Sequence, residues 1–376
     1  MLSPLVGYSP LPSKPAPPAA PPALPSPPGD EFRPQEEPSG NRGRKIVTLG
    51  LLSLGSLAGL GAAGLHAAAT LPVCQNQQQI VGWENGQPCV SVDAATQGST
   101  AWRYAKGVFH LPGALDSWNS QQNLVIQAPG GSRPLGESEQ LKVVSWNLHH
   151  GLSQDSTGAR PQLDLMVTQL QAEDADVLLM QEVAPGDAAR LARDLEMQGY
   201  YAQTTMVQGN LILLRPDIQV HDQSVTFITG QQPGSGWDTL KQWVSGGGGQ
   251  DEPRSLQILR GELPDGQPLT LWNTHYLTGD YTPEQREQAA QTIRERLDAS
   301  IQTGDMVVGG GDLNANDDHQ AVIRELGQIE QMRGQQHNID WIYSSNPSQF
   351  SSQTVEHEGV MVSDHPLVRA QVEVRS

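Results

Sequence analysis

The chain has 376 residues and a mass of 40.6 kDa, enough for one large domain with extra segments or for two ordinary domains. Its 23 Lys+Arg against 41 Asp+Glu leave a net charge of −18, which argues against a histone-like or arginine-rich nucleic-acid binder. The only two cysteines, Cys74 and Cys89, exclude a disulfide-rich scaffold and a four-cysteine zinc site within one chain.

The acidity belongs to the C-terminal part: from Leu141 onward 15 basic and 32 acidic residues give net −17, against 8 and 9 in the first 140. Residues 1–45 are Pro-rich and lack hydrophobic periodicity, so they cannot bury enough apolar surface to offset ordering entropy and read as a disordered cytoplasmic tail. Residues 46–71 are 26 positions in which His66 is the one ionisable side chain, long enough to span a bilayer as a helix. Arg42, Arg44 and Lys45 precede it, and positive flanks stay cytoplasmic, so the rest of the chain is expected on the exported side. Two alternatives compete with this single-pass anchor. Ala67, Ala68 and Ala69 fit a signal-peptidase site, giving a secreted or periplasmic protein cut near Ala69, and the run could also be a buried core helix.

Residues 72–140 read as a small extension, either a β-rich module or an ordered lead-in to the domain beginning at Leu141. Both cysteines lie there, beyond the span and hence on the oxidising side, and a Cys74–Cys89 disulfide is expected, worth about 3 kcal/mol by loop closure.

After Leu141 strands alternate with helices, the pattern of an α/β layered domain over 141–376. The segments 141–147, 176–183, 210–214, 255–263, 269–276, 306–310, 339–345 and 367–374 read as strands, with a hairpin through Pro264-Asp-Gly266. Leu163, Met166, Val167 and Leu170 recur at helical spacing, and Pro283 opens a helix to about Ile301. Polar residues fall at the ends of these apolar runs: Asn147, Glu182, His275, Asp312 with Asn314, and Asp364 with His365. Side chains at strand ends of an α/β sheet converge on one edge, where sites form.

The segments SWNLHHG (145–151), DVLLMQEV (176–183), GNLILL (209–214), NTHY (273–276), GGDLNAND (310–317), IDWIY (339–343) and SDHPLV (363–368) resemble, in order, those of the endonuclease/exonuclease/phosphatase (DNase I-like) superfamily. Singly each motif is weak; jointly they are specific, and they span nearly all of 141–376. The resemblance implies a four-layer α/β sandwich, two packed mixed β-sheets flanked by helices, and metal-dependent hydrolysis of a phosphoester.

It also implies roles that can be checked against physical need. Glu182, helped by Asn147 and Asp364, would hold Mg²⁺, with Mn²⁺ as an alternative, because hard cations want oxygen ligands. Asp312 would orient or deprotonate the attacking water, and Asn314 would hold it or a phosphate oxygen in line. His275 and His365 would face the charge developing at phosphorus, with Asp340 fixing the His365 ring. Candidate substrate contacts are His149, His150, Asn210 and Arg254, with Arg286 as a further phosphate candidate, and Trp237 and Trp243 in a Gly-rich loop that could touch bases or lipid. The expected partners are a phosphoester substrate and, through 46–71, a membrane; no protein partner is evident. A domain of net −17 favours a lipid headgroup or small phosphodiester, with a secreted or anchored nuclease as the alternative. A non-catalytic binding module on the same fold is disfavoured because Glu182, His275, Asp312 and His365 are all present.

Overall fold

A computed structural model of the chain describes residues 81–84, 87–109, 123–136, 139–155, 158–204, 208–229, 253–278, 281–315, 321–329, 333–337, 339–346, 348–353, 356–357 and 360–374, with isolated positions between 64 and 74. The chain divides into two units, 1–53 and 54–376, and the described residues belong to the second. The Pro-rich tail, nearly all of the apolar run 46–71 and the loop carrying Trp237 and Trp243 lie outside the described residues. Among those described, no helix is long and apolar enough to cross a membrane.

The hairpin β1 (Val81–Glu84) and β2 (Gln87–Val90) stands beside the Cys74–Cys89 disulfide, which forms as the compartment argument expects. Helix α1 (Val92–Phe109) and strand β3 (Asn123–Ile126) come next. The helix departs from the β-rich reading. Thr96, Gly98, Ser99 and Thr100 are weak helix formers that hide it, but Ser91 caps its start by accepting Ala94 N–H at 3.2 Å.

In chain order β4 (Gln140–Asn147) leads to a side hairpin of β5 (Leu152–Asp155) and β6 (Gly158–Pro161), then α2 (Leu163–Glu173), β7 (Val177–Val183) and α3 (Pro185–Asp194). Strands β8 (Gln198–Gln203), β9 (Gly209–Leu214), β10 (Gln219–Phe227), β11 (Ser255–Glu262) and β12 (Pro268–His275) precede α4 (Pro283–Gln302). That helix starts where Pro283 places it, with a reciprocal capping box between Thr282 and Gln285. After it come β13 (Met306–Asp312), α5 (Ala321–Gly327), β14 (Arg333–His337), β15 (Asp340–Ser344) and β16 (Ser348–Gln353). The short strands β17 (Glu356–His357) and β18 (Val360–Met361), and finally β19 (Leu367–Glu373), complete the run.

Two mixed sheets result. The larger has seven strands in the order β16-β19-β4-β7-β9-β8-β3, and the smaller has six, β10-β11-β12-β13-β15-β14. Each contains one parallel pair, β4 with β7 and β12 with β13. Strand β3 is the edge of the larger sheet, so part of the segment before 140 is built into the layers of the α/β domain. Helix α1 docks on α3 so closely that a Cβ on Gly186 would stand 2.3 Å from the Ala95 carbonyl carbon.

Side-chain alternation sorts the core into three layers. Val144, Trp146, Leu178 and Met180 face α2 and α3, whereas Leu141, Val143, Val177 and Leu179 face the second sheet. On the smaller sheet Trp272 and Val307 pack on α4 and α5, and Leu271 and Val308 face inward. Strands buried on both faces read as unbroken apolar runs, which is why the central ones were legible. The order helix, sheet, sheet, helix is the four-layer α/β sandwich that the resemblance implies.

Candidate active site

Strand direction gathers the site. The parallel pairs carry Asn147 and Glu182, and His275 and Asp312, to their C-terminal ends, while antiparallel β15 and β19 begin beside them. Across the smaller sheet His275 is in register with Asp312, and Asp312 with Asp340. The Gly-rich stretch of β13 allows this close approach: at Gly311, with φ +134°, a Cβ would lie 2.0 Å from the Thr274 carbonyl oxygen. In β7 the register slips between Met180 and Val183, and Glu182 sits in the left-handed region with φ 54°. Of the six described non-glycine residues with positive φ, four are here: His149, His150, Glu182 and Asn314. Strained backbone of this kind costs about 1–3 kcal/mol per residue and persists where packing holds it.

Asp312 is the centre. Its Oδ1 accepts the Asn314 N–H at 2.9 Å, and its Oδ2 accepts Asn147 Nδ2 at 3.0 Å. Nε2 of His275 and Nε2 of His365 approach the same Oδ2 at 3.4 and 3.6 Å. Asn147 also donates to Glu182 Oε1 at 3.2 Å and so joins the two carboxylates, while its Oδ1 accepts the His149 N–H at 2.9 Å. His150 Nε2 lies 3.0 Å from Glu182 Oε2, and His149 Nδ1 lies 3.5 Å from Asp364 Oδ1. The adjacent histidines therefore point to different acids.

The two buried histidines have opposite surroundings. Burial, with the positive charges of Arg254, His365 and His150 behind it, holds His275 well below the usual imidazole range. Burial works in the same direction on His365, but the Asp340 hydrogen bond and the charges of Asp312, Asp340 and Asp364 outweigh it and push the ring up to about 10. Its Nδ1 lies 3.0 Å from Asp340 Oδ2. Burial pushes Asp340 itself up to about 7, against the His365 hydrogen bond.

Other expected residues are placed differently. Asn210 donates to the Ser255 carbonyl at 3.0 Å, and its amide ties the two sheets together below the site. Arg254 Nη1 meets His275 Nδ1 at 2.5 Å. Arg286 is buried and donates to the Tyr281 carbonyl oxygen, holding the chain after β12 in place of a phosphate. Asp364 faces His149, and among the described residues the three-residue group whose ligand atoms lie within 4.8 Å of one another is Asp312, Asp340 and His365. Oxygen donors therefore stand on both sides of Asn147, a set that suits a hard divalent cation.

Sequence reasoning missed a supporting set. Trp146 Nε1 donates to the His365 carbonyl at 3.0 Å, and Ser363 Oγ donates to the Asn147 carbonyl at 2.7 Å, which clamps the turn before β19 onto the end of β4. Below the site Gln181 Nε2 donates to Asn273 Oδ1 at 2.7 Å, and Asn273 donates to the Met180 carbonyl at 2.8 Å. Buried polar residues inside strands were the available signal, since such groups need partners.

Among solved structures, TDP2 from Caenorhabditis elegans is similar at 20% identity, covering 64% of this chain and 78% of that one with a TM-score of 0.47. A mannosyl-6-phosphatase of Bacteroides thetaiotaomicron matches at 16% identity over 62% of this chain and 99% of its own, TM-score 0.47. TDP2 of D. rerio complexed with single strand DNA product matches at 14% identity over 63% and 100%, TM-score 0.47. No curated protein matches the chain. The profile of the Endonuclease/Exonuclease/phosphatase family matches residues 144–365, a stretch that begins in β4 and ends at His365 and so takes in every strand end of the site. The chain belongs to that family, whose members hydrolyse phosphoester bonds, and it is an enzyme of that class.

Proposed function

We propose that the chain is a Mg²⁺-dependent phosphodiesterase held on the exported side of a membrane, acting on a lipid headgroup or another small phosphodiester. One observation carries the chemistry: Asn147, His275 and His365 converge on a single carboxylate oxygen, Asp312 Oδ2, with Glu182 bridged to it through Asn147. Glu182 and Asn147 would hold the cation, with Asp312 on the inner side. Bound there, Mg²⁺ would supply the charge that polarises a phosphoryl oxygen. The remaining roles belong to the chain. Asp312, held in place by Asn314 N–H, takes a proton from the attacking water. His365, charged and braced by Asp340, donates to the oxygen on which charge develops, and His275 Nε2 donates from the other side. Asp364 and His149 form the more exposed rim, where substrate would enter.

The disulfide supports an oxidising compartment, and with the apolar run 46–71 it supports an exported catalytic domain. The net charge of −17 after Leu141 supports a substrate with few phosphates. Trp237 and Trp243 would contact the lipid surface.

The decisive test offers sphingomyelin vesicles, phosphoinositide vesicles, plasmid DNA and RNA with Mg²⁺ or with chelator. Turnover of a phospholipid, lost with chelator, restored by Mg²⁺ and changing little with monovalent salt, is the expected result. Efficient plasmid cleavage without turnover of any phospholipid would overturn the substrate and leave the site standing. Soluble full-length protein in the cytoplasm would overturn the topology, while a mature N-terminus near Thr70 would select cleavage over anchoring.

A further inference from the structure

Arg254 immediately precedes β11 and is 6% exposed, and its Nη1 lies 2.5 Å from Nδ1 of His275. A guanidinium carries only donors. The imidazole nitrogen facing it must present a lone pair, which leaves the ring hydrogen on Nε2; the acceptor on the same side, Glu182 Oε1, stands beyond hydrogen-bond reach at 3.7 Å. The far side of the ring reaches the same answer from a different neighbour: Nε2 faces Asp312 Oδ2 at 3.4 Å, and a carboxylate oxygen accepts. The other tautomer would set donor against donor at Arg254 and lone pair against lone pair at Asp312. His365 is arranged in the opposite sense, with Nδ1 backed by the Asp340 carboxylate at 3.0 Å.

We propose that Arg254 is a positioning residue that fixes His275 as its Nε2–H tautomer, so that the two histidines meeting at Asp312 Oδ2 are backed by opposite partners and cannot exchange roles. His275 is then a fixed donor at the reaction centre, and Arg254 acts through it without touching substrate. Only the kinetic consequence rests on the phosphoesterase reading; the tautomer rests on the hydrogen-bond geometry.

Long-range ¹H–¹⁵N spectra of the full-length protein labelled with ¹⁵N-histidine test this, with the His275 signals assigned by their loss in His275→Asn. The wild type should show a bare Nδ1 and a protonated Nε2. Arg254→Lys keeps a donor and should keep that pattern. Arg254→Gln can turn its carbonyl toward the ring, so the Nδ1–H form should appear, and kcat should fall about 10–100-fold while KM changes little. A wild-type His275 with its hydrogen on Nδ1, or on both nitrogens, overturns the proposal. So does an Arg254→Gln protein with an unchanged tautomer and a raised KM, which is how a phosphate-binding arginine behaves. The wild-type spectrum decides even if neither Arg254 variant folds. The expected spectrum in a protein without phosphoesterase activity would support the tautomer and sink the functional reading alone.

Discussion

Strand β7 connects two acidic regions of opposite character. Just before it lie Glu173, Asp174 and Asp176; near its other end, about 20 Å away at strand rise, lies Glu182. At the first end every acid meets arginine: Glu173 with Arg369 at 3.1 Å, Asp174 with Arg215 at 2.6 Å and Arg133 at 2.7 Å, and Asp176 with Arg215 at 3.6 Å. At the second, Glu182, Asp312, Asp340 and Asp364 each face a histidine ring nitrogen, at 3.0, 3.4, 3.0 and 3.5 Å. A guanidinium keeps its proton at any working pH, so the first arrangement is permanent. Imidazole can lose its proton or turn its lone pair outward, so the second can be rearranged by a cation or a substrate. Composition alone does not separate the two ends; the identity of the basic partner does.

The largest effect should come from Glu182→Gln, which keeps the shape and removes the charge. Activity should fall by about 10³-fold without full recovery at high Mg²⁺, while the denaturation midpoint stays near wild type. A variant that is inactive only because it unfolds would show this end to be structural too. His365→Ala should cost about 10²–10³-fold in kcat and leave Mg²⁺ binding by calorimetry largely intact. Asp340→Asn should resemble a milder version, at about 10–100-fold, since it loosens the ring without deleting it. Loss of metal binding in His365→Ala, with retention in Glu182→Gln, would reverse the two assignments.

The arginine end should answer in stability alone. Arg215 is nearly buried, and Arg215→Met should lower unfolding free energy by about 2 kcal/mol with activity per folded molecule unchanged. The smallest effect concerns Asp174. Burial works to raise its carboxyl, but hydrogen bonds from Arg215 and Arg133 outweigh this and hold it below the usual value. A depressed carboxyl adds stability above its unfolded value of about 3.9, and that stability is lost as pH falls through the depressed value. Asp174→Asn should therefore be less stable than wild type at neutral pH, and urea titrations should show the gap closing on acidification. A gap that widens in acid would mean that the arginines do not set this carboxyl.

Burial decides how much of the molecule was legible. Strands β4, β7, β12 and β13 are covered on both faces, so their apolar runs announce themselves and the polar residue ending each run stands out. Strand β10 is exposed or half-exposed along its whole length, and its sequence QVHDQSVTF carries no such mark. Helix α1 hides behind serine, threonine and glycine. Within the site, the carboxylates and histidines at the strand ends were legible because they come at the ends of apolar runs, whereas the choice of acid for His149 and for His150 was not. It depends on two successive left-handed residues, at φ 46° and 54°, which nothing in the letters HH requires. Arg254 was legible as a candidate substrate contact, but not as the neighbour of His275 against which the fold buries it.

The pairing of β19 with β4 sets a timetable for the enzyme. Ser145 in β4 lies opposite Val368 in β19, so an early central strand of the larger sheet keeps one edge open until a very late segment of the chain arrives. Such long-range closure slows folding, because loop entropy is lost before the contacts return it. Until then the open edge is a template for pairing with another copy, and crowding during synthesis should be the period of greatest aggregation risk. His365 is delivered by the turn that leads into β19, so the event that seals the sheet also brings the last of the side chains that meet at Asp312 into place.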